Sequence, residues 1–256
     1  MKKNAGVRPL RPAEARRALY IDFEGTRADA PSLLGVYIAG RKRFYQTILE
    51  PALHPAASYK SPNITWSVEA ASPVEALDKL RRLIGSRKRM RVFAWTKVEQ
   101  REVLKFLKDF PGRREFWKGG VEDAIPYAKA WKARAHPDVK LSRKKGRGPN
   151  TLENYEKLIG LKRHTVHGWG LTGKRVRGVR AALARRGSMK KLTRTQKGYW
   201  TNLLIHNRDD CRGMAAVMAA VAGGGLGGGG VHPERVRHPG RPEHVRRVRT
   251  ADRAAR

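Results

Sequence analysis

The feature that most constrains the fold and chemistry of this chain is a pair of acidic residues at the end of a short apolar segment. Residues 18–21 are apolar, and Asp22 and Glu24 follow with one residue between them. The apolar segment predicts a buried strand over about 17–23. Side chains two residues apart on a strand point to the same face, so we expect the two carboxylates to lie side by side.

Two neighbouring carboxylates on a core strand indicate a metal site. Like charges repel, and burying them is costly unless a cation lies between them. Oxygen ligands favour Mg²⁺ or Mn²⁺. The alternative is a solvated strand end beside a turn at Gly25, which explains most isolated Asp-x-Glu pairs. The metal site is favoured here because the pair continues an apolar strand and later acidic residues could support it.

The chain carries a strong positive charge. Its 256 residues include 56 Lys and Arg against 22 Asp and Glu, a formal net charge of +34 at pH 7. This balance points to a polyanionic partner, and nucleic acid is the first candidate. An anionic membrane surface is the second, but no long basic amphipathic helix supports it. With 40% hydrophobic residues the chain can still build a core.

The cysteine content and the N-terminus predict a cytoplasmic protein. Cys211 is the only cysteine, so a disulfide within the chain is excluded and a cysteine-based zinc site is not expected. The basic N-terminus has no apolar run behind it, which predicts that there is no signal peptide. No segment approaches the roughly 20 apolar residues of a membrane span.

The hydrophobic pattern predicts an α/β fold with a mixed sheet. Strands at about 33–39 and 43–49 flank a hairpin turn at 40–42, so the first three strands should form an antiparallel meander. A fourth strand is expected at 90–95, and residues 50–68 are predicted to be a proline-rich loop. Helices are predicted at 73–85, 97–108 (ended by Pro111-Gly112), 121–133, 151–159, 176–186 and 193–221 (which could be interrupted near Asn202). Strands that alternate with helices after a meander favour a sheet flanked by helices.

Both ends of the chain are predicted to lie outside the folded domain, which is expected at 17–221. Residues 1–16 are basic and contain proline, which predicts a flexible basic arm. Residues 223–230 are almost pure glycine, and residues 231–256 mix Pro, Arg and Val without a period. We therefore predict a Gly-rich linker and a disordered basic tail over 222–256.

Later segments place further acidic residues where they could join the first pair. Glu99 lies where a predicted strand turns into a helix, and Asp123 lies at the start of another helix. Asp210 follows His206 by four residues on a predicted helix, so these two side chains share a face. A metal-bound carboxylate beside a titratable group suits proton transfer from an attacking water. Glu99 and Asp123 could each instead simply stabilise a helix start, and Asp209 is expected to face away from Asp210.

These motifs, in this order, resemble the DEDD nucleases, which are 3′→5′ exonucleases of the ribonuclease-H-like superfamily. They are most similar to the YprB-like ribonuclease-H-like domain, often labelled a predicted RecB-family nuclease. The matching segments are Asp22-Phe23-Glu24-Gly25, Trp95 to Glu99, Leu152 to Gly160, and His206-Asn207-Arg208-Asp209-Asp210. The resemblance covers about residues 17–221 and implies a ribonuclease-H-like mixed sheet flanked by helices.

The resemblance also implies a site that holds two Mg²⁺ or Mn²⁺ ions. Asp22, Glu24 and Asp210 would hold one ion. Asp22 would bridge to a second ion, which Glu99 would complete directly or through water. His206 would act as the general base or would orient the attacking water. Two features depart from the family pattern, since Glu99 stands where many members have Asp and His206 has the spacing usually held by Tyr.

Two basic segments could contact the backbone of a nucleic acid. The residues predicted to do so are Arg143, Lys144, Lys145, Arg147, Arg175 and Arg177. Runs of positively charged side chains often contact only solvent. Beside a site that could cleave a phosphodiester, contact with a nucleic-acid strand becomes an equal alternative.

The expected function is therefore a metal-dependent nuclease, in particular a 3′→5′ exonuclease that acts on DNA or RNA. One alternative is a non-catalytic nucleic-acid-binding protein on the same fold. A pure binder of a polyanion gains nothing from clustered carboxylates, which argues against it. The other alternative is a structure-selective endonuclease, which would cut covalently closed circles.

Overall fold

A mixed sheet lies at the centre of the part of the chain that the structure describes. The computed structural model describes residues 8–26, 28–85, 90–143, 148–162 and 171–223. Within these ranges the strands are β1 Leu19–Glu24, β2 Leu33–Ile38, β3 Arg43–Ile48, β4 Ser67–Ala70, β5 Val92–Ala94 and β6 Glu122–Asp123. Their order across the sheet is β4-β3-β2-β1-β5-β6. β1, β2 and β3 are antiparallel neighbours, whereas β4 pairs in parallel with β3, β5 with β1, and β6 with β5. The predicted α/β fold, a meander extended by parallel strands, is confirmed and is consistent with a ribonuclease-H-like arrangement.

Helices cover both faces of this sheet. They are α1 Pro12–Arg17, α2 Pro73–Gly85, α3 Lys97–Phe106, α4 Pro111–Trp117, α5 Ile125–Ala135, α6 Leu152–Leu158, α7 Thr172–Arg186 and α8 Arg194–Val221. The alternation along β1 divides the core, because Leu19 and Ile21 pack with α2 and α3 whereas Tyr20 packs with α8. Asp22 and Glu24 continue the series of Tyr20, so their side chains point to the α8 face.

Helix α8 brings the C-terminal part of the chain onto the sheet. It begins with a capping box, in which Thr193 and Gln196 each accept a hydrogen bond from the backbone N–H of the other. Its 28 residues span about 42 Å. The predicted interruption near Asn202 is wrong, because Trp200 and Leu203 on either side are fully buried in one continuous helix. No described helix combines the length and the apolar character needed to cross a membrane.

The N-terminal segment is partly folded, so the prediction of a flexible arm over 1–16 is wrong for its second half. Pro12 occupies the first turn of α1, where its missing N–H is no loss. Glu14 accepts a hydrogen bond of 2.9 Å from the backbone N–H at the helix start. Leu10 and Ala15 are buried in the core cluster that includes α8. The folded unit therefore begins before residue 17, and the first seven residues lie outside the described ranges.

The segment after β3 is more ordered than the predicted loop over 50–68. Pro51–Ser58 form a 3-10 helix in which Leu53 and Ala56 are buried. Ser67–Ala70 form β4, which pairs in parallel with β3. A four-residue strand at the edge of a sheet has too few apolar positions to show a period, so only its pairing defines it.

Two helix starts also differ from the prediction. Helix α3 ends at Phe106, before the predicted stop at Pro111, and Pro111 instead begins the short helix α4 at a first-turn position that suits proline. The helix predicted from residue 121 begins at Ile125, because Glu122–Asp123 first pair with β5 as strand β6.

Candidate metal centre

Strand β1 carries two carboxylates into the middle of the sheet. β1 lies between β2 and β5, with a parallel neighbour on one side and an antiparallel neighbour on the other. Asp22 is partly buried, and Glu24 is only 8% exposed. Both side chains face α8, so any group that compensates their charge must come from that face.

His206 and Asp210 reach the same point from α8. The Nε2 atom of His206 lies 3.5 Å from Oε1 of Glu24 and 3.6 Å from Oδ2 of Asp210. One potential ligand atom from each of these three residues lies within 4.8 Å of the other two. Within the described residues this is the one group of three His, Cys, Asp or Glu side chains with such spacing. The predicted common face of His206 and Asp210 is thus present and is directed at Glu24.

The electrostatics of Asp22 show that four carboxylates converge here. Burial raises the pKa of Asp22 well above its ordinary value. Repulsion from Glu24, Asp210 and Glu99 raises this pKa further, in that order, and a hydrogen bond from Asn207 opposes the shift. A carboxylate destabilised by its acidic neighbours gains stability when a cation binds among them. The donor set, which consists of carboxylate oxygens and one imidazole, therefore fits a divalent cation.

Glu99 joins the group from the first turn of α3. Thr96 caps this helix, and its Oγ1 accepts a hydrogen bond of 3.1 Å from the N–H of Val98 and donates one of 2.8 Å to Oε2 of Glu99. Glu99 is 8% exposed, and burial raises its pKa despite the hydrogen bond from Thr96. Glu99 is buried and its charge acts on Asp22. Both observations favour a role for Glu99 in the centre over a role that is limited to stabilising the start of the helix.

Asp123 lies next to Glu99, but one of its carboxylate oxygens is hydrogen bonded to the backbone. It ends β6, the neighbour of β5, and its Oδ1 accepts a hydrogen bond of 2.9 Å from the N–H of Ile125. Burial raises the pKa of Asp123, and its charge in turn raises the pKa of Glu99. Asp123 therefore borders the centre while it holds the start of α5.

A chain of hydrogen bonds through two buried amides supports Asp22, and these amides were not predicted from the sequence. Nδ2 of Asn207 donates to the backbone oxygen of Asp22 at 3.0 Å and to its Oδ2 at 2.7 Å. Nε2 of Gln46 donates to Oδ1 of Asn207 at 2.7 Å, and Nε1 of Trp66 donates to Oε1 of Gln46 at 2.7 Å. Asn207 and Gln46 are fully buried. The chain holds the carboxylate of Asp22 in a defined position between β2 and α8.

Gly35 provides the space for this chain. Across the sheet it lies opposite Asp22 on β1 and opposite Gln46 on β3. A Cβ atom on Gly35 would lie 2.2 Å from Oδ1 of Asn207, far inside van der Waals contact. A glycine within an apolar strand is the one sequence signal that could have indicated this close approach.

Helix α7 brings a buried cation to the centre. Arg175 is 5% exposed, and burial lowers its pKa, an effect that the charge of Glu24 opposes. The start of α7 lies against the chain that leaves β1, since a Cβ atom on Gly173 would lie 3.8 Å from Cα of Thr26. Arg175 offsets part of the negative charge of Glu24, yet the pKa of Asp22 stays raised. Because Arg175 is buried, it could contact a nucleic acid only if part of that ligand entered the centre.

The other basic residues predicted to contact nucleic acid are only partly described. Arg143 and Arg177 are exposed. Lys144, Lys145 and Arg147 lie outside the described residues, as does the C-terminal tail from residue 224.

No protein-family model matches the chain, and no curated protein matches it. The residues of the centre therefore define its chemistry. Carboxylates from β1, α3 and α8 can hold divalent cations through oxygen, and an imidazole on α8 can accept a proton beside them.

Proposed function

We propose that the protein is a metal-dependent nuclease that hydrolyses phosphodiester bonds of DNA or RNA. One observation carries the proposal, namely the convergence of Asp22, Glu24, Glu99 and Asp210 beside His206. The chain has a net charge of +34. If it only bound a polyanion, buried negative charge at its binding surface would weaken that binding. The order of motifs that resembles the DEDD nucleases supports the 3′→5′ exonuclease class.

Two Mg²⁺ or Mn²⁺ ions are the proposed cofactors. Asp22, Glu24 and Asp210 would hold one ion, and Asp22 with Glu99 would hold the other. When bound, such ions offset the charge that develops on phosphate oxygens and lower the pKa of bound water. The raised pKa of Asp22 supports this assignment, because a carboxylate that repels its neighbours binds a shared cation with a gain in stability.

His206 is the proposed proton acceptor. Its Nε2 lies 3.5 Å and 3.6 Å from the carboxylates of Glu24 and Asp210. From this position His206 would take the proton of the attacking water. Arg175, which lies close enough to Glu24 for their charges to interact, would contact the phosphate that is cut.

The positive surface would supply affinity without sequence preference. Phosphate contacts release counterions, so binding to a single strand should weaken with a log–log slope of about −0.7 per contact as salt rises. An affinity that does not change with salt would contradict this part of the proposal.

The decisive experiment compares two adjacent aspartates on α8. Asp209 pairs with Arg208 at 2.8 Å, whereas Asp210 faces the centre. A single-stranded DNA and its RNA counterpart, each labelled at the 5′ end, would be incubated with Mg²⁺, Mn²⁺ or EDTA. We expect the wild type and Asp209→Asn to give a metal-dependent ladder that shortens from the 3′ end. Asp210→Asn should lower the rate by about 10³-fold or more, since a bound ion contributes several kcal/mol to the transition state.

The other outcomes assign the protein differently. Metal-dependent cutting of covalently closed circles would show an endonuclease. Binding in EDTA with no cleavage in either metal would show a non-catalytic nucleic-acid-binding protein. Equal activity of Asp209→Asn and Asp210→Asn would place the chemistry away from this centre.

A further inference from the structure

A basic groove of about 700 Å³ lies at one corner of the sheet. It is bounded by the β2–β3 hairpin, the start of β4, and helices α2 and α8. None of its lining residues is acidic. The positively charged lining residues are Arg41, Lys42, Arg43, Lys79, Arg208 and Arg212. A surface with this composition is suited to an anionic ligand.

The groove is separate from the carboxylates. Asp22 lies opposite Gly35 on β2, whereas the groove is lined by Tyr37 and Ile38 at the end of the same strand. The two to three residue steps between these positions correspond to about 7–10 Å along a strand. None of the carboxylates of the candidate centre is among the residues that line the groove.

The hairpin supplies the charge that is most available to a ligand. Lys79 pairs with Glu69 at 2.5 Å and Arg208 with Asp209 at 2.8 Å, so these two cations are partly compensated. Residues 41–43 are exposed, and the described part of the chain contains no ion-pair partner for them. Three consecutive cations lie at this turn, and the middle one, Lys42, has left-handed backbone with φ of 51°.

The wall of the groove combines this charge with aromatic surface. The rings of Trp66 and Phe44 meet edge to face with centroids 5.6 Å apart. The guanidinium of Arg208 lies 4.7 Å from the centroid of Trp66, and the indole is held in place by its hydrogen bond to Gln46. Indole rings and guanidinium planes both stack on nucleobases, and single-strand binding proteins combine such platforms with basic grooves.

We infer that this groove binds a single-stranded segment of nucleic acid. The cations of residues 41–43 contact its phosphates, and a base packs against Trp66 and Arg208. The volume is within the range of pockets that hold one small ligand, which suits one or two nucleotides. The groove is independent of the proposed nuclease activity, because it would bind a strand even if the carboxylates held no metal.

The test is a binding measurement in EDTA, where no cleavage can occur. The probe is a fluorescein-labelled oligo-dT of about twelve nucleotides, with an oligo-rU and the dT–dA duplex as further arms. The variant is Arg41→Gln, Lys42→Gln and Arg43→Gln combined. Its matched control, Lys129→Gln, Lys132→Gln and Arg134→Gln, removes the same charge from α5, which follows β6, the strand at the other edge of the sheet. Equal thermal midpoints would show that both proteins are folded.

The hairpin variant should bind oligo-dT or oligo-rU about tenfold or more weakly at about 0.15 M salt, against less than about threefold for the control. Its log–log salt slope should be smaller by about 2, which corresponds to three lost phosphate contacts on a single strand. Equal losses in the two variants would overturn the inference, because they would show only long-range attraction. Inorganic polyphosphate and unlabelled oligo-dT would also be compared as competitors. Equally strong competition by the two, per phosphate, would overturn the inference, because no base would then be recognised. Tighter binding of the duplex than of the single strand would likewise overturn the inference.

A second measurement locates the strand on the unmodified protein. An oligonucleotide that contains 4-thiothymidine would be photo-crosslinked in EDTA, and the attached peptides identified by mass spectrometry. Crosslinks to residues 41–45 or to Trp66 are expected. Crosslinks confined to other surfaces would refute the groove as a binding site.

Discussion

Replacing Gly35 by alanine would test how closely β2 and α8 are fitted together beneath the candidate metal centre. The added Cβ would lie 2.2 Å from Oδ1 and 2.8 Å from Cγ of Asn207. Since favourable carbon contacts lie at about 3.5–4.0 Å, one side must move by about 1 Å or more. Asn207 cannot yield freely, because it is fully buried and hydrogen bonded to both Asp22 and Gln46.

The magnitude follows from these contacts. Forcing an extra carbon into a packed interior costs about 1–3 kcal/mol. Displacing Asn207 also weakens three hydrogen bonds, each worth about 1 kcal/mol net. We therefore expect Gly35→Ala to lower the free energy of unfolding by about 2–5 kcal/mol.

Urea unfolding followed by circular dichroism measures this change, and Gly198→Ala is the matched control. Gly198 lies within α8 and a Cβ there would meet no atom within 4 Å. The control should be stabilised by up to about 1 kcal/mol, because alanine favours the helix. In Gly35→Ala the displaced Asp22 should also reduce the rise in stability that added Mg²⁺ produces in the wild type.

A Gly35→Ala protein within about 0.5 kcal/mol of the wild type would refute this reasoning. It would show that Asn207 moves without loss, and that the hydrogen-bond chain does not fix Asp22.

The other groups of the centre have expected responses to pH and to substitution. Because burial and repulsion raise the folded-state pKa of Asp22 and Glu99, the folded protein binds more protons than the unfolded chain between the ordinary carboxyl pKa and the raised values. The metal-free protein should therefore lose stability as pH rises through that window, and Asp22→Asn should flatten this slope in thermal unfolding with EDTA. A slope unchanged by Asp22→Asn would contradict the assignment. Thr96→Ala should cost about 1 kcal/mol in urea unfolding and weaken Mg²⁺ binding in calorimetry, because it removes the cap of α3 and releases Glu99. Arg175→Gln should slow cleavage by about 10²-fold or more, whereas Lys174→Gln, on an exposed position of the same helix, should leave the rate unchanged.

Elements with a strong local pattern can be predicted from the sequence. The prediction of a helix over 73–85 matches α2, which begins at Pro73 and has a clear apolar face. Strands β4 and β6 cannot be predicted in this way, because they have four and two residues and owe their existence to pairing with β3 and β5.

The same distinction applies to the candidate centre. The acidic pair of β1 and the His-Asp pair of α8 are predictable because spacing alone places each pair on one face. Gln46 and Asn207 are not predictable, because their hydrogen bonds join residues 161 and 185 positions apart. Their partners become neighbours only when the register of the sheet and the position of α8 are known.

The indole of Trp66 gives the chain of amides a direction. An indole N–H can only donate, so the oxygen of Gln46 must face it, and the nitrogen of Gln46 must then face Asn207. The oxygen of Asn207 is thereby occupied, which leaves its nitrogen for Asp22. Carboxamide oxygen and nitrogen are nearly identical in shape, so sterics alone would not choose between the two orientations. The backbone oxygens of Leu204 and Asp22 select the same orientation, because they accept hydrogen bonds from the nitrogens of Gln46 and Asn207. The ring at the edge of the basic groove and these two carbonyl groups thus agree in presenting a hydrogen-bond donor to the carboxylate of Asp22.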